Sequence, residues 1–165
     1  MAGLADVGDR QITGFWKPQD NNGEFSQWYM SNFTVGGITY CCAEQYMMAE
    51  KARMFNDADS LRSILATQSP SRMRSLGRRV ANFDAAQWDA GKYQIVLRAT
   101  REKYTQSDRL RRKLLSTGDT YLVELSASDA IWGVRSTSAN PARWRGQNLL
   151  GRALMDVRAE LRAAG

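Results

Sequence analysis

Along the chain the spacing of apolar residues changes from two to between three and four, which separates a strand-bearing start from a helical remainder. Short β-forming runs occupy the N-terminal part. Thr34-Val35-Gly36-Gly37-Ile38-Thr39-Tyr40 predicts a hairpin, because Gly-Gly supplies the positive φ values of a tight turn. A helix is expected from about Ala43. Ser60 is expected to cap a helix carrying Leu61, Ile64 and Leu65, and Ser69-Pro70 to start one that carries Met73 and Leu76 and stops at Gly77. Asp84 caps a longer helix with Trp88, Lys92, Ile95, Val96 and Ala99 on its buried face, running to about Tyr104. Asp108 begins a short helix ahead of Thr117-Gly118-Asp119, Tyr121-Leu122-Val123-Glu124-Leu125 reads as a strand, and Leu150, Leu154, Val157 and Leu161 stripe a final helix. The sum is an α+β fold, predominantly helical, with a small β component. No repeat, low-complexity linker or composition break marks a second domain, so residues 1–12 are expected to form a flexible N-terminus and 13–163 a single domain.

One helical stripe carries unusual chemistry. At about 100° per residue Glu44, Met48, Lys51 and Phe55 share a face, and the Lys51 stem leans back toward Glu44 although the two backbones lie roughly 10 Å apart along the axis. A carboxylate and an amine interrupting an apolar stripe form a candidate acid and amine pair. The structural alternative is a first-turn acid favoured by the helix dipole and a lysine that snorkels to water.

Composition narrows the chemistry. The 165 residues, 43% of them hydrophobic, suffice for one domain with its own core. No run approaches a membrane span, and residues 1–10 lack the basic start and apolar core of a signal peptide, so a soluble, cytoplasmic protein without a membrane partner is expected. Cys41 and Cys42 are adjacent, where a bridge would be strained, and fit a reducing compartment. The absence of histidine removes Ser-His-Asp and Cys-His catalysis and every zinc pattern that needs imidazole; Asp, Glu, Lys, Tyr and Ser remain. Net charge is +6, gathered in Arg72, Arg74, Arg78 and Arg79, in Arg109, Arg111, Arg112 and Lys113, and in the last helix. This favours an anionic partner, either a small phosphorylated molecule or a nucleic-acid backbone, with a solvated helix face as the alternative for any one cluster.

Three further segments offer site residues. After the strand, Asp129 stands three residues before Trp132-Gly133, placing an acid and a large π surface in one turn, where the alternative is an Asx turn beside a core aromatic. Trp144-Arg145-Gly146-Gln147-Asn148 leads into the last helix, and Asn148 with backbone amides at a helix start makes an anion or sugar pocket, or a simple cap. Gly23-Glu24-Phe25-Ser26-Gln27-Trp28-Tyr29 offers Ser26 and two aromatics.

In order and spacing, Phe25-Ser26-Gln27-Trp28, Gly37, Ala43-Glu44-Gln45-Tyr46 through Lys51-Ala52, Leu76-Gly77-Arg78, Trp88, Lys103-Tyr104, Leu114-Leu115-Ser116-Thr117-Gly118, Leu122-Val123-Glu124, Asp129-Ala130-Ile131-Trp132-Gly133 and Gly146-Gln147-Asn148-Leu149-Leu150-Gly151 resemble the NADAR, or YbiA-like, family. The resemblance spans about Phe25 to Arg162. It implies a metal-independent N-glycosidase without a cofactor, which cleaves the bond between a base-type nitrogen and C1 of a phosphorylated ribose. Two substrate classes go with the family: ADP-ribose on guanine in nucleic acid, and phosphoribosylamino intermediates of riboflavin biosynthesis. Gln27, where the family commonly has Asn, and Gln45, where His is expected in a member, depart from the pattern and are expected to retune substrate contacts.

Such a cleavage needs the leaving nitrogen protonated and the charge at C1 relieved. Lys51 can serve as an ammonium that binds substrate oxygens or, with a lowered pKa from burial beside Met47 and Met48, as an amine that attacks C1, with Glu44 as acid/base partner. Asp129 is placed near the ribose hydroxyls or as a second acid, and Trp132 against base or sugar. Arg78, Lys103 and Asn148 are phosphate and ribose candidates, and Ser26, Trp28, Tyr46 and Gly133 complete the substrate-binding set. The expected partner is ADP-ribose or an ADP-ribosylated guanine nucleotide carried by DNA or RNA, met by a monomer. A non-catalytic ADP-ribose or NAD reader, or a basic nucleic-acid binder, is the competing reading.

Overall fold

The computed structural model describes residues 4–165, with side chains from Asp6 onward. In chain order it contains α1 (Leu4–Val7), β1 (Ile12–Phe15), a 3-10 turn (Gly23–Phe25), β2 (Phe33–Val35), β3 (Ile38–Tyr40), α2 (Ala43–Met54), α3 (Ala58–Ala66), α4 (Pro70–Arg78), α5 (Ala85–Thr105), α6 (Asp108–Leu115), β4 (Tyr121–Glu124), a second 3-10 turn (Pro141–Arg143) and α7 (Leu149–Ala163). The fold is α+β and helix-rich, as the periodicity predicts. The elements gather into two compact units, one of Gln27–Gln106 and the other of Ser107–Gly165 with the segment up to Ser26.

In the Gln27–Gln106 unit, β2 and β3 pair antiparallel with Thr34 opposite Thr39, and Gly36 and Gly37 take the positive φ values, 58° and 80°, that the tight turn requires. α2 packs against α3, α4 and α5. Helix starts follow the polar caps. Asp84 caps α5 through the Gln87 N–H at 2.8 Å, and Ser107 caps α6 through the Leu110 N–H at 3.3 Å. Asp57, not Ser60, caps α3: the Ser60 N–H donates to its carboxylate at 3.0 Å and the Ser60 hydroxyl at 2.6 Å. A carboxylate is the stronger acceptor, and it also takes the Ala81 N–H. Hydrogen bonds from Ala81 and Ser60 hold the Asp57 carboxyl down at about 2. Gly77 does not end α4, which continues to Arg78. Its role is close approach, since a Cβ there would lie 1.9 Å from Met48 Sδ.

In the other unit β1 and β4 pair in parallel, with Ile12 opposite Tyr121 and Phe15 opposite Glu124, and α7 packs on β4. Val7, Tyr121, Val123, Val134 and Trp144 form a core cluster in which the Tyr121 and Trp144 rings stack 5.8 Å apart. Residues 1–3 of the expected flexible stretch lie outside the described residues; within them, Leu4–Val7 is a helical turn and Val7 is buried. The cations of α7 are engaged internally. Arg158 donates to Thr117 Oγ1 and to the Thr120 carbonyl, both at 2.8 Å, and Arg162 pairs with Asp119 at 2.7 Å.

Gly77→Ala is expected to cost about 1–3 kcal/mol by overpacking, offset by about 1 kcal/mol of gained helix propensity. Urea unfolding of Gly77→Ala with and without Met48→Ala checks the cause. The alanine penalty should shrink once Met48 is truncated, and an equal penalty in both backgrounds would locate the strain elsewhere.

Candidate functional site

Glu44 lies in the first turn of α2 and is 4% exposed. Its N–H donates to the Gln27 carbonyl at 3.0 Å, so the preceding segment satisfies an amide that the N-cap residue, Cys42, leaves uncapped. Lys51, two turns on, is half-buried. Its ammonium stands 4.4 Å from the Phe83 ring centre and 5.4 Å from that of Trp88. Burial lowers its pKa from the ordinary lysine value of 10.5, and the Arg78 guanidinium lowers it further, while the Glu44 carboxylate pulls the other way. The ring faces favour the ammonium, so they oppose the lowering by burial and by Arg78.

Local sequence explains the rings. With Asp84 as the N-cap of α5, Phe83 is the residue before the cap and Trp88 the fourth of the helix, the pair that a hydrophobic staple brings together. Phe83 also meets Phe55, the end of the Glu44–Lys51 stripe, at 5.3 Å between ring centres. Phe83 remains 48% exposed, leaving aromatic surface open beside the amine. Arg78 is exposed in the last turn of α4 and, like Arg72, Arg74 and Arg79, makes no ion pair among the described residues.

Other expected site residues of this unit are placed differently. Tyr46 is 2% exposed and packs its ring 5.0 Å from Tyr40 and 6.1 Å from Phe33, a core position among aromatics. Lys103 is 3% exposed, with its ammonium 5.5 Å from the Tyr29 ring and 5.3 Å from that of Tyr104, so it is a buried cation among aromatics and not an open phosphate ligand. Trp28 is half-buried. Gln45 is fully engaged in structure: its Oε1 accepts the Cys41 N–H at 2.8 Å, and its Nε2 donates to the Ile64 and Thr67 carbonyls, each at 3.1 Å. These bonds give the Gln45 side chain a structural role, tying the start of α2 to the end of α3. Cys41 and Cys42 are free thiols, and burial pushes Cys42 up to about 12.

The other unit holds a second cluster. Asp129 forms the Asx-type turn allowed by its position, with Oδ1 accepting the Ile131 and Trp132 N–H groups at 2.8 Å each and that of Gly133 at 3.5 Å. Trp132 is half-buried. Glu124 flanks this turn, since a Cβ on Gly133 would come within 3.1 Å of its Oε2. Ser26 is 5% exposed in the same unit. The Asn148 pocket is not formed. Asn148 is fully buried, donating from Nδ2 to the Leu122 carbonyl at 2.9 Å and accepting the Glu124 N–H at 3.0 Å. The amides of Asn148, Leu149 and Leu150 donate to the carbonyls of Gly133, Ile131 and Trp132, which leaves those amides engaged where an anion was expected. Gly146 permits this lacing, because a Cβ there would meet the Gly133 carbonyl at 2.2 Å.

Phe83 is not among the site residues expected from the sequence, and Trp88 and Glu124 enter there only as a helix face, a strand end and parts of the family resemblance. The staple around Asp84 was the available signal for the rings; nothing local distinguishes Glu124 from an ordinary strand-end acid.

Comparison with known proteins agrees with these motifs. The chain is 40% identical over 146 residues to N-glycosidase R617 of Acanthamoeba polyphaga mimivirus, covering 82% of this chain and 86% of that protein. It is 31% identical over 150 residues to N-glycosidase YbiA of Escherichia coli (strain K12), covering 91% and 88%. The NMR structure of E. coli YbiA superposes with a TM-score of 0.81 at 30% identity, over 96% of this chain and 89% of that one. Riboflavin biosynthesis protein VVA0006 of Vibrio vulnificus (strain YJ016) is 32% identical across 89% of this chain, which spans 38% of that longer protein. The NADAR domain model matches residues 14–162, and the chain belongs to the NADAR domain family.

Proposed function

We propose that this protein is an N-glycosidase that removes ADP-ribose from guanine in nucleic acid, with Lys51 as nucleophile and Glu44 as its acid/base partner. The observation that carries the reading is the half-buried Lys51 amine, with its pKa lowered by burial and by Arg78, on the same helix as a buried carboxylate. A lysine of ordinary pKa is protonated at neutral pH and cannot attack; a lowered one yields its proton more readily. The names of R617 and YbiA support hydrolysis of an N-glycosyl bond. The four exposed arginines of α4 and its C-cap, without carboxylate partners among the described residues, support a polyanionic carrier over a small monophosphate.

In this reading the Glu44 carboxylate takes the proton that Lys51 loses, Lys51 Nζ forms a bond to C1 of the ribose as the C1–N bond breaks, and the electron pair leaves on the base nitrogen, which takes that proton from Glu44. Loss of a proton from the new secondary amine and opening of the ring, with the ring oxygen protonated, gives a Schiff base. Water then adds at C1 and expels Lys51, returning free ADP-ribose. The exposed Phe83 face offers a stacking surface, and Arg78 attracts the diphosphate. VVA0006, by its name, favours a second reading in which the substrate is a phosphoribosylamino intermediate of riboflavin biosynthesis, with the same bond broken.

Release of ADP-ribose from an oligonucleotide bearing ADP-ribosylated guanine tests the choice. Wild type should release it, folded Lys51→Met should not, and Glu44→Gln should be slower by about 10²–10⁴-fold. Turnover confined to the phosphoribosylamino compound would select the second substrate. Borohydride should trap a sugar on Lys51 during turnover.

The activity should rise with pH through a limb whose midpoint lies below 10.5, because the folded lysine deprotonates earlier than a solvated one. For the same reason folding stability should rise with pH between the folded pKa and 10.5, where the unfolded chain binds the extra proton. Matched pH profiles of wild type and Lys51→Met check both; a limb that persists in the variant belongs to another group.

Asp129→Asn keeps an oxygen for the turn's three N–H donors. Lost turnover at unchanged thermal stability would assign the carboxylate to chemistry, and a matching loss of stability would leave it as a turn former.

A further inference from the structure

We propose that Gln27 is a specificity-determining residue of the Glu44–Lys51 site, its side-chain oxygen accepting a hydrogen bond from a ribose hydroxyl of the substrate; this rests on the glycosidase reading above. Gln27 is 7% exposed, and its main-chain carbonyl accepts the Glu44 N–H at 3.0 Å, which pins the residue against the first turn of α2 at the acid. Its Oε1 is buried and has no hydrogen-bond partner among the described residues. Native folds pair nearly all such groups, because an unpaired buried acceptor forfeits its hydration with nothing in return. Gln45 shows that the same unit can engage a buried glutamine completely, with both ends of its carboxamide bonded to backbone. At Gln27 the main chain adjoins the first turn of the acid's helix and the buried side-chain acceptor is left without a partner among the described residues.

An amide oxygen accepts and cannot donate, so it suits neither a phosphate nor a carboxylate and calls for a group that carries hydrogen. Next to a scissile ribose C1 the donors are the sugar hydroxyls and the N–H groups of the base; with Glu44 serving the base, the hydroxyls fall to Gln27. A site built to pair such a hydroxyl rejects the analogue lacking it, since the buried oxygen then stays unpaired. A structural water on Oε1 is the rival occupant, and it makes opposite predictions for stability.

The test compares wild type, Gln27→Met and Gln27→Asn on the ADP-ribosylated guanine oligonucleotide and on versions with a 2′-deoxy or 3′-deoxy ribose at the scissile carbon. Wild type should lose about 10–100-fold in kcat/KM on one deoxy substrate. Methionine matches glutamine in length without the polar atom, so Gln27→Met should lose the same factor on the intact substrate, treat intact and deoxy sugars alike, and unfold at an equal or higher Tm. Gln27→Asn, one methylene shorter, should keep part of the discrimination. Undiminished discrimination in Gln27→Met overturns the proposal, and so does a fall in its Tm of about 3 °C or more, the signature of a lost internal water bridge. Should wild type turn over only the phosphoribosylamino substrate, the guanine reading fails while the hydroxyl comparison is made on that compound. Should it turn over neither, the glycosidase reading fails, and the Tm arm with the Kd values of ADP-ribose and its deoxy forms still decides the role of Gln27.

Discussion

The close approach of α4 to α2 sets the surroundings of the candidate nucleophile. It is possible only because residue 77 has no side chain: Met48 occupies the volume that a Cβ would take. Met48 lies between Glu44 and Lys51 on α2, and Arg78 follows Gly77 directly, so one packing contact fixes both the stripe and the guanidinium that acts on it. Protein interiors are packed densely enough that a shift of one side chain there is transmitted to its neighbours. The electrostatics of Lys51 are therefore a consequence of packing.

The net positive charge divides into engaged and open parts. Arg152, Arg158 and Arg162 of α7 are tied to Asp6, to the segment before β4 and to Asp119, and Arg109 of α6 pairs with Glu24 at 3.6 Å. The arginines of α4 have no such partners among the described residues, and they are the ones on the helix that adjoins Lys51. A count of basic residues cannot make this distinction, because it depends on which carboxylates and carbonyls the fold delivers to each helix.

Buried polar side chains divide in a similar way. Asn148 and Gln45 bind backbone groups on separate elements and act as internal ties, which explains their burial without any ligand. Asp129 shapes its own turn. Such residues look like site residues in a sequence because the chemistry that recognises a phosphate or sugar also recognises a peptide group.

The sequence by itself determined the hairpin at Gly36-Gly37, the order of helices, the caps at Ser69 and Asp84, the Glu44–Lys51 stripe and the family, because periodicity, turn conformations and capping act between residues close in the chain. The positions of Phe83 and Trp88 on either side of the Asp84 cap are likewise a local pattern, that of a hydrophobic staple. Only the tertiary structure decided that Tyr46 and Lys103 are buried among rings, that Asn148 binds β4, that Gly77 admits Met48, and that the buried Gln27 side-chain oxygen has no partner among the described residues. These outcomes depend on partners far apart in sequence. A side chain's hydrogen-bond capacity is local, but whether the fold satisfies it is decided by what packing brings within about 3 Å.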